Sequence, residues 1–449
     1  MLRVIFISVV ILFMSMQNRP CYSQSLRADT LKNWQLKGYA ESAVKGGDYY
    51  MAIYLLEAYI QKKTRAYNEM YLLAELLSET RNYAPAEALF KKIIDKKKNK
   101  FPKAEFNLAK ILKNNEKYTE AHSLLKNIEK NARKQALPVD RQLLLNEIQG
   151  CLLAIKDTNL LSEIIALHID TTINKSFIEF APLQIKDTIL LFGSVEKEEI
   201  LSGKSKTNYR KFYTANSKNE NYYNRSVSET PPFFNFEDAH TGNGCFSIDG
   251  KRFYSTRCEK NIMNKIICSI HVSELKNGEW VQPVSLDNTI NSKDYTSTQM
   301  TVGNYSQSNI EIIYFSSDRP GGFGGYDIWY SVYNKNTESY TEACNAGSAI
   351  NTIADEKTPF YDINSGILYF SSTGWSGYGG FDVFKSQGNL VNWSKPENAG
   401  KPINTGADDL FYSLNKDGKK AFLISNRKGS IPYKHDHCCD DIYSLQFEK

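Results

Sequence analysis

The stretch Tyr314-Phe315-Ser316-Ser317-Asp318-Arg319-Pro320-Gly321-Gly322-Phe323-Gly324-Gly325-Tyr326-Asp327-Ile328-Trp329 joins one β-rich run to another through a turn built of proline and glycine. Aromatic and β-branched runs on both sides of such a turn read as a hairpin. The phrase returns as Tyr369-Phe370-Ser371-Ser372 through Gly379-Gly380-Phe381-Asp382-Val383-Phe384, and more loosely as Leu423-Ile424-Ser425-Asn426-Arg427 through Asp441-Ile442-Tyr443. Tyr314, Tyr369 and Leu423 are 55 and then 54 residues apart. Similar runs centre on residues 188–194, 251–256, 312–317, 367–372 and 420–426. Roughly four short strands per unit, repeated five times, predict a β-propeller in which each sheet packs on the next. The weakly patterned stretch 196–241 leaves room for a sixth blade.

The first part of the chain repeats differently. Ala40 and Ala52, Ala74 and Ala86, and Ala109 and Ala121 form pairs with the same internal spacing, and the pairs step by 34 and then 35 residues. Each second alanine follows an aromatic residue (Tyr49, Tyr83, Tyr118) and precedes a large apolar one (Leu56, Phe90, Leu125) at helical spacing. Small residues at those places let antiparallel helices approach closely, and the larger partners fill the space between neighbouring pairs. A fourth, degenerate pair over 138–168 is expected to cap the stack. The fold class is therefore α + β multidomain: an N-terminal α-solenoid over 25–172, then an all-β propeller over 173–449.

With 449 residues and 41% hydrophobic content the chain has enough core for two domains. A net charge of +5 is too dilute to argue for nucleic acid. Residues 1–24 read as a signal peptide: Arg3, an apolar run over 4–14, and a small-residue zone at Cys21-Tyr22-Ser23-Gln24. Export places the protein in the periplasm or against the outer membrane, with no other segment apolar enough to cross a bilayer. The remaining cysteines then meet an oxidising compartment. Cys258 and Cys268 bracket a hairpin loop and are expected to pair. Cys438 and Cys439, set among His435, His437, Asp440 and Asp441, do not have zinc spacing; a vicinal disulfide or separate pairings are expected.

Candidate chemistry is sparse. The glycines at 321–325 precede a strand rather than a helix, so they are turn residues and not a phosphate cradle. Asp327, Asp382 and Asp441 recur once per blade and are expected to hold backbone amides of their own hairpins. Asn288-Thr289 precedes Asp294, Asn351-Thr352 precedes Asp355 and Glu356, and Asn404-Thr405 precedes Asp408 and Asp409. If each group stands before an innermost strand, these carboxylates gather at one mouth of the central channel. Such a ring would take a hard cation such as calcium or a basic peptide, while carboxylates bonded each to its own turn are the plainer reading. No other cofactor is expected. There is no Gly-x-Ser-x-Gly elbow and no His-Glu-x-x-His pair.

The helical period and small-residue positions resemble the tetratricopeptide repeat. The phrase at 314–329 resembles the PD40 family of WD40-like propellers. Together they resemble the front part of the PorE-type periplasmic proteins of Bacteroidota, which the resemblance links to type IX secretion and gliding. The chain ends at Lys449 without the OmpA-like domain of that group, so peptidoglycan anchoring is not implied. The expectation is a non-enzymatic envelope scaffold that holds protein partners in the helical groove and on the propeller rim. The alternatives are a module that binds or senses peptide or glycan fragments at the acidic mouth, and a propeller hydrolase.

Overall fold

The computed structural model describes residues 27–132, 136–157, 164–195, 209–218, 221–228, 231–262, 265–432, 435 and 437–447. The leader expected over 1–24 lies outside them.

Seven α-helices come first: α1 (Asn33–Lys45), α2 (Tyr49–Lys62), α3 (Tyr67–Glu79), α4 (Tyr83–Lys97), α5 (Ala104–Asn114), α6 (Tyr118–Asn131) and α7 (Arg141–Lys156). All six alanines of the repeat are fully buried, and Leu56, Phe90 and Leu125 fill the space between pairs in one continuous core. The helix ends share a geometry as well. Gly47, Arg81 and Glu116 adopt left-handed φ of 74°, 63° and 59°, one in the turn of each pair. The amides that follow them bond back to the helix at Ala43, Leu77 and Leu112. This is the Schellman arrangement, which glycine enters without steric cost. In the second and third pairs Arg and Glu accept that conformation, so another interaction must offset it. The fourth helix pair is not formed as expected. Among the described residues of 138–168 only α7 is helical, and Ile164–His168 is a strand.

That strand belongs to the propeller, which has five blades. Their innermost strands are Glu179–Lys186, His240–Phe246, Ser297–Asn304, Glu356–Asp362 and Asp409–Leu414. The stretch that left room for a sixth blade instead supplies Lys211–Lys218 and Asn221–Val227, the third and fourth strands of the first. The fifth blade takes its outer strand from ahead of the first: Ile164 pairs Phe447 and His168 pairs Tyr443, antiparallel. Closing the ring this way leaves no sheet gap between the two ends of the chain.

One asparagine per blade pins the approach to the channel. Asn174, Asn235, Asn291, Asn351 and Asn404 accept through their side-chain oxygens from the amides of Ile442, Phe212, Ile270, Ile328 and Val383, at 2.7 to 2.8 Å. A buried asparagine bonded on both faces fixes the loop that carries the chain from a third strand to the next innermost one. In the third blade the residue in this role is Asn291. Asn288, singled out from the sequence, lies outside the repeated position.

Candidate functional site

The two ends of the channel differ. At one end the innermost strands begin, and three begin with an acid: Glu179, Glu356 and Asp409, all fully buried. Glu179 had no signal in the sequence reading, because its blade lacks the Asn-Thr phrase. Each acid is held within its own blade. Glu179 accepts from Ser194 Oγ at 2.9 Å and from Arg225 at 2.7 Å. Glu356 accepts from the Thr352 amide and hydroxyl and from Ser372 Oγ, each at 2.7 Å. Asp409 accepts from the Thr405 amide at 2.7 Å and hydroxyl at 2.9 Å, and from Arg427 at 2.6 Å. Burial raises the Glu356 carboxyl to about 7 against those three donors.

Asp355 and Asp408, one residue earlier, bridge blades instead. Their Oδ1 atoms accept from the amides of Tyr326 at 2.8 Å and Phe381 at 2.9 Å. Asp294 is exposed, and its amide bonds Ser292 Oγ at 3.1 Å; it does not join the others. Asp327 accepts from the amides of Phe323 at 2.6 Å and Gly324 at 3.2 Å, Asp382 from Tyr378 at 2.9 Å and Gly379 at 3.0 Å, and Asp441 from Ile431 at 2.6 Å. Burial raises Asp382 to about 7, with Lys113 and those two amides opposing.

The helices pack against this end of the channel, leaving a cavity of about 420 Å³ between the α5–α6 turn and the fifth blade. Arg81, in the α3–α4 turn, reaches Asp408 at 2.8 Å and Asp440 at 2.7 Å. Burial lowers the pKa of this guanidinium, but Asp440 and Asp408 more than offset it and hold it above the ordinary value. In the α5–α6 turn the backbone and Glu116 pack so closely on Gly406 that a Cβ there would stand 2.8 Å from Asn114 O. On α7, Asn146 donates to Gly374 O at 2.7 Å, and a Cβ on Gly150 would stand 2.2 Å from Gly377 O. Asp157 bonds the Tyr378 hydroxyl. The interactions that offset the left-handed turns at Arg81 and Glu116 are thus contacts with the propeller.

Cys258 and Cys268, paired across neighbouring strands, form a disulfide, and so do Cys438 and Cys439. Cys151, Cys245 and Cys344 are free thiols. Among the described residues no cluster of His, Cys, Asp and Glu is arranged to hold a metal ion.

The other end of the channel is open. A cavity of about 350 Å³ is lined by the central and later parts of all five innermost strands and the turns that follow them. Each of these strands carries a bulge there, with one residue in the left-handed region: Ala181, Asn243, Gln299, Thr358 and Phe411, at φ between 49° and 54°. A bulge leaves backbone groups unpaired and re-aims side chains. Some bonds cross directly between blades: the Thr358 amide to Gln299 Oε1 at 3.1 Å, the Phe411 amide to Thr358 Oγ1 at 3.2 Å, and Ser413 Oγ to Pro182 O at 2.7 Å. Two side-chain carbonyls in the lining, Gln184 Oε1 and Asn243 Oδ1, are buried without a hydrogen-bond partner. Among the described residues, the charged ones in the lining are Asp362 and Lys416. No sequence pattern marked this cavity, because bulge residues of five unlike types share only a backbone conformation.

No protein-family model and no curated protein matches the chain. Solved structures do match. A glycoside hydrolase aligns at 12% identity over 63% of this chain and 91% of its own, with a TM-score of 0.42. The α-L-arabinofuranosidase of Podospora anserina, solved with cellotriose, aligns at 9% identity over 64% and 98%, TM-score 0.40. The exo-β-1,3-galactanase of Clostridium thermocellum aligns at 11% identity over 63% and 62%, TM-score 0.39. The class is a five-bladed propeller carrying a stack of helix pairs. The three are named as glycoside-cleaving enzymes, a finding that runs against two expectations, the non-enzymatic protein–protein scaffold and the absence of enzymatic activity, and neither is kept. At these identities and TM-scores no activity or residue role is carried across.

Proposed function

We propose that the open end of the propeller channel binds an uncharged glycan fragment. The observation that carries this reading is the cavity itself, where amides and hydroxyls from all five blades (Gln184, Asn243, Gln299, Thr358, Ser413) stand among Phe246, Phe360, Tyr361 and Phe411. Sugar hydroxyls need paired donors and acceptors, and sugar C–H faces need apolar walls; a mostly apolar pocket with a few convergent polar groups supplies both. The unpartnered carbonyls of Gln184 and Asn243 favour a ligand rich in donors, since a buried acceptor left unpaired costs about 1–3 kcal/mol. Among the described residues of this lining Asp362 is the one carboxylate, and glycoside hydrolysis by the usual two-carboxylate route would call for a second acid facing the scissile bond. At the acidic end Asp408 and Asp440 are already paired with Arg81.

The test is thermal unfolding against a panel of neutral oligosaccharides, with reducing ends assayed in the same incubations. A ligand raises the transition in proportion to its occupancy of the folded state. No shift with any neutral sugar, alongside a shift with basic peptides, would overturn the reading. Release of reducing ends would extend it to catalysis.

We further propose that the helix pairs are of the tetratricopeptide type, the blades of the PD40 type, and the chain an exported envelope protein related to the PorE-type group. The 34- and 35-residue steps of the helices, the phrase at 314–329 and the apolar run over 4–14 support this. Fractionation of cells making the tagged protein tests the location, and recovery with the cytoplasm would refute it.

A further inference from the structure

The second helix pair and the last loop of the propeller meet around one disulfide. Cys438 and Cys439 are bonded to each other. The residue after them, Asp440, receives Arg81 at 2.7 Å. The residue before them, His437, lies with its ring 5.4 Å from that of Tyr83, the first residue of α4. The same segment is tied to the propeller on its other side. Asn426 Nδ2 donates to the His437 carbonyl at 3.1 Å, and the Glu179 amide donates to the Asp440 carbonyl at 3.1 Å. Both contacts with the helices therefore directly flank the disulfide.

A disulfide between neighbours in sequence shortens no loop, so the loop-closure entropy that makes most disulfides stabilising does not apply to it. Its effect is local: it joins two side chains into a small ring across one peptide and dictates the backbone shape of that peptide. The Cys258–Cys268 bond differs, since it joins two neighbouring strands of the second blade.

We propose that the Cys438–Cys439 bond is a redox-sensitive catch on the contact between the helical stack and the propeller. A dithiol reductant attacks one sulfur as a thiolate, forms a mixed disulfide and expels the other cysteine as a thiolate, which takes up a proton. The second thiol of the reductant then displaces the first cysteine and leaves as a cyclic disulfide, so two electrons pass to the protein and two cysteine thiols result. Opening the ring returns ordinary backbone freedom to 438–439. The Tyr83 and Arg81 contacts loosen together, and the acidic end of the channel becomes accessible. Redox control of an interface by a local change of this kind needs only a contact that depends on one loop shape.

Amide hydrogen exchange of the full protein, oxidised and after treatment with a dithiol, tests this in a Cys258→Ser/Cys268→Ser background where one disulfide remains. Reduction is expected to speed exchange about tenfold or more in the α3–α4 turn around residues 80–83 and in propeller loop 374–379. Arg81→Ala in the oxidised protein should reproduce most of the rise at 80–83, with little added by reduction. Exchange that changes only at 437–440, or not at all, overturns the proposal. If the background variant does not fold, Cys438→Ala/Cys439→Ala in the otherwise native chain must show the same rise without reductant. Sugar binding at the opposite end is a separate readout, so failure of one proposal does not decide the other.

Discussion

Arg81 Nε stands 2.8 Å from Asp408 Oδ2, which couples the turn of the second helix pair to the start of the fifth blade. Asp440 completes the site at 2.7 Å from the other side of the same guanidinium. Both acids are almost fully buried, and Arg81 pairs with both while Arg210 adds a further positive charge near Asp440.

Arg81→Ala leaves two buried carboxylates without their partner, which costs about 3 kcal/mol or more. Calorimetry of this variant is expected to show the helical stack and the propeller melting as separate transitions below that of the native protein. One unshifted transition would show that Arg81 does not couple the halves.

Arg81→Gly removes the same charge but suits the left-handed φ of 63°. It is expected to be about 1 kcal/mol more stable than Arg81→Ala. Denaturant titration of the two variants side by side measures the difference, and equal midpoints would mean the turn relaxes at no cost.

Gly150→Ala places a methyl group where Gly377 O already stands, 2.2 Å away. Overpacking of this kind typically costs about 1–3 kcal/mol. Because the clash lies between α7 and the propeller, limited proteolysis should open the junction first. Cleavage unchanged in site and rate would place the strain elsewhere.

Glu356 and Asp382 both titrate near 7 in the folded protein, above ordinary carboxyls, because burial favours their neutral forms. The folded state therefore holds more protons than the unfolded state between about pH 4 and 7, and stability falls as pH rises through that window. The transition temperature should decline from pH 4.5 to 7.5 on account of these groups, and Glu356→Gln with Asp382→Asn should flatten the decline. A slope unchanged in the double variant would assign it to other groups.

Asn243→Gly keeps the left-handed backbone of the bulge and removes a side-chain amide from the cavity lining. Loss of one neutral hydrogen bond is worth about 1 kcal/mol, so affinity for a neutral oligosaccharide should drop about fivefold while the melting temperature holds. Isothermal titration reads the first and calorimetry the second. Undiminished affinity would remove Asn243 from the site.

Both repeats could be read from the chain alone, because each is a local pattern. Paired alanines with their aromatic and apolar partners specify helix pairs, and the Ser-Ser turns with their glycines specify the hairpins of the blades. The disulfide between Cys258 and Cys268 was likewise legible, since a hairpin sets its two strands opposite each other. The acids that begin the fourth and fifth innermost strands were legible through their Asn-Thr phrases. In the third blade the Asn-Thr phrase falls at Asn288, three residues before the structural position Asn291, and Asp294 falls out of place with it, because a dipeptide phrase has no register until the strands pair. What required the tertiary structure was everything decided by contacts remote in sequence. Ile164–His168 had the look of a helix end until Asp441–Phe447 offered it a sheet edge. Nothing in the sequence marked Arg81 and Glu116; only the propeller places Asp408, Asp440 and Gly406 beside them. The cavity at the open end exists only where five bulges converge, and convergence around a ring has no trace in any one strand.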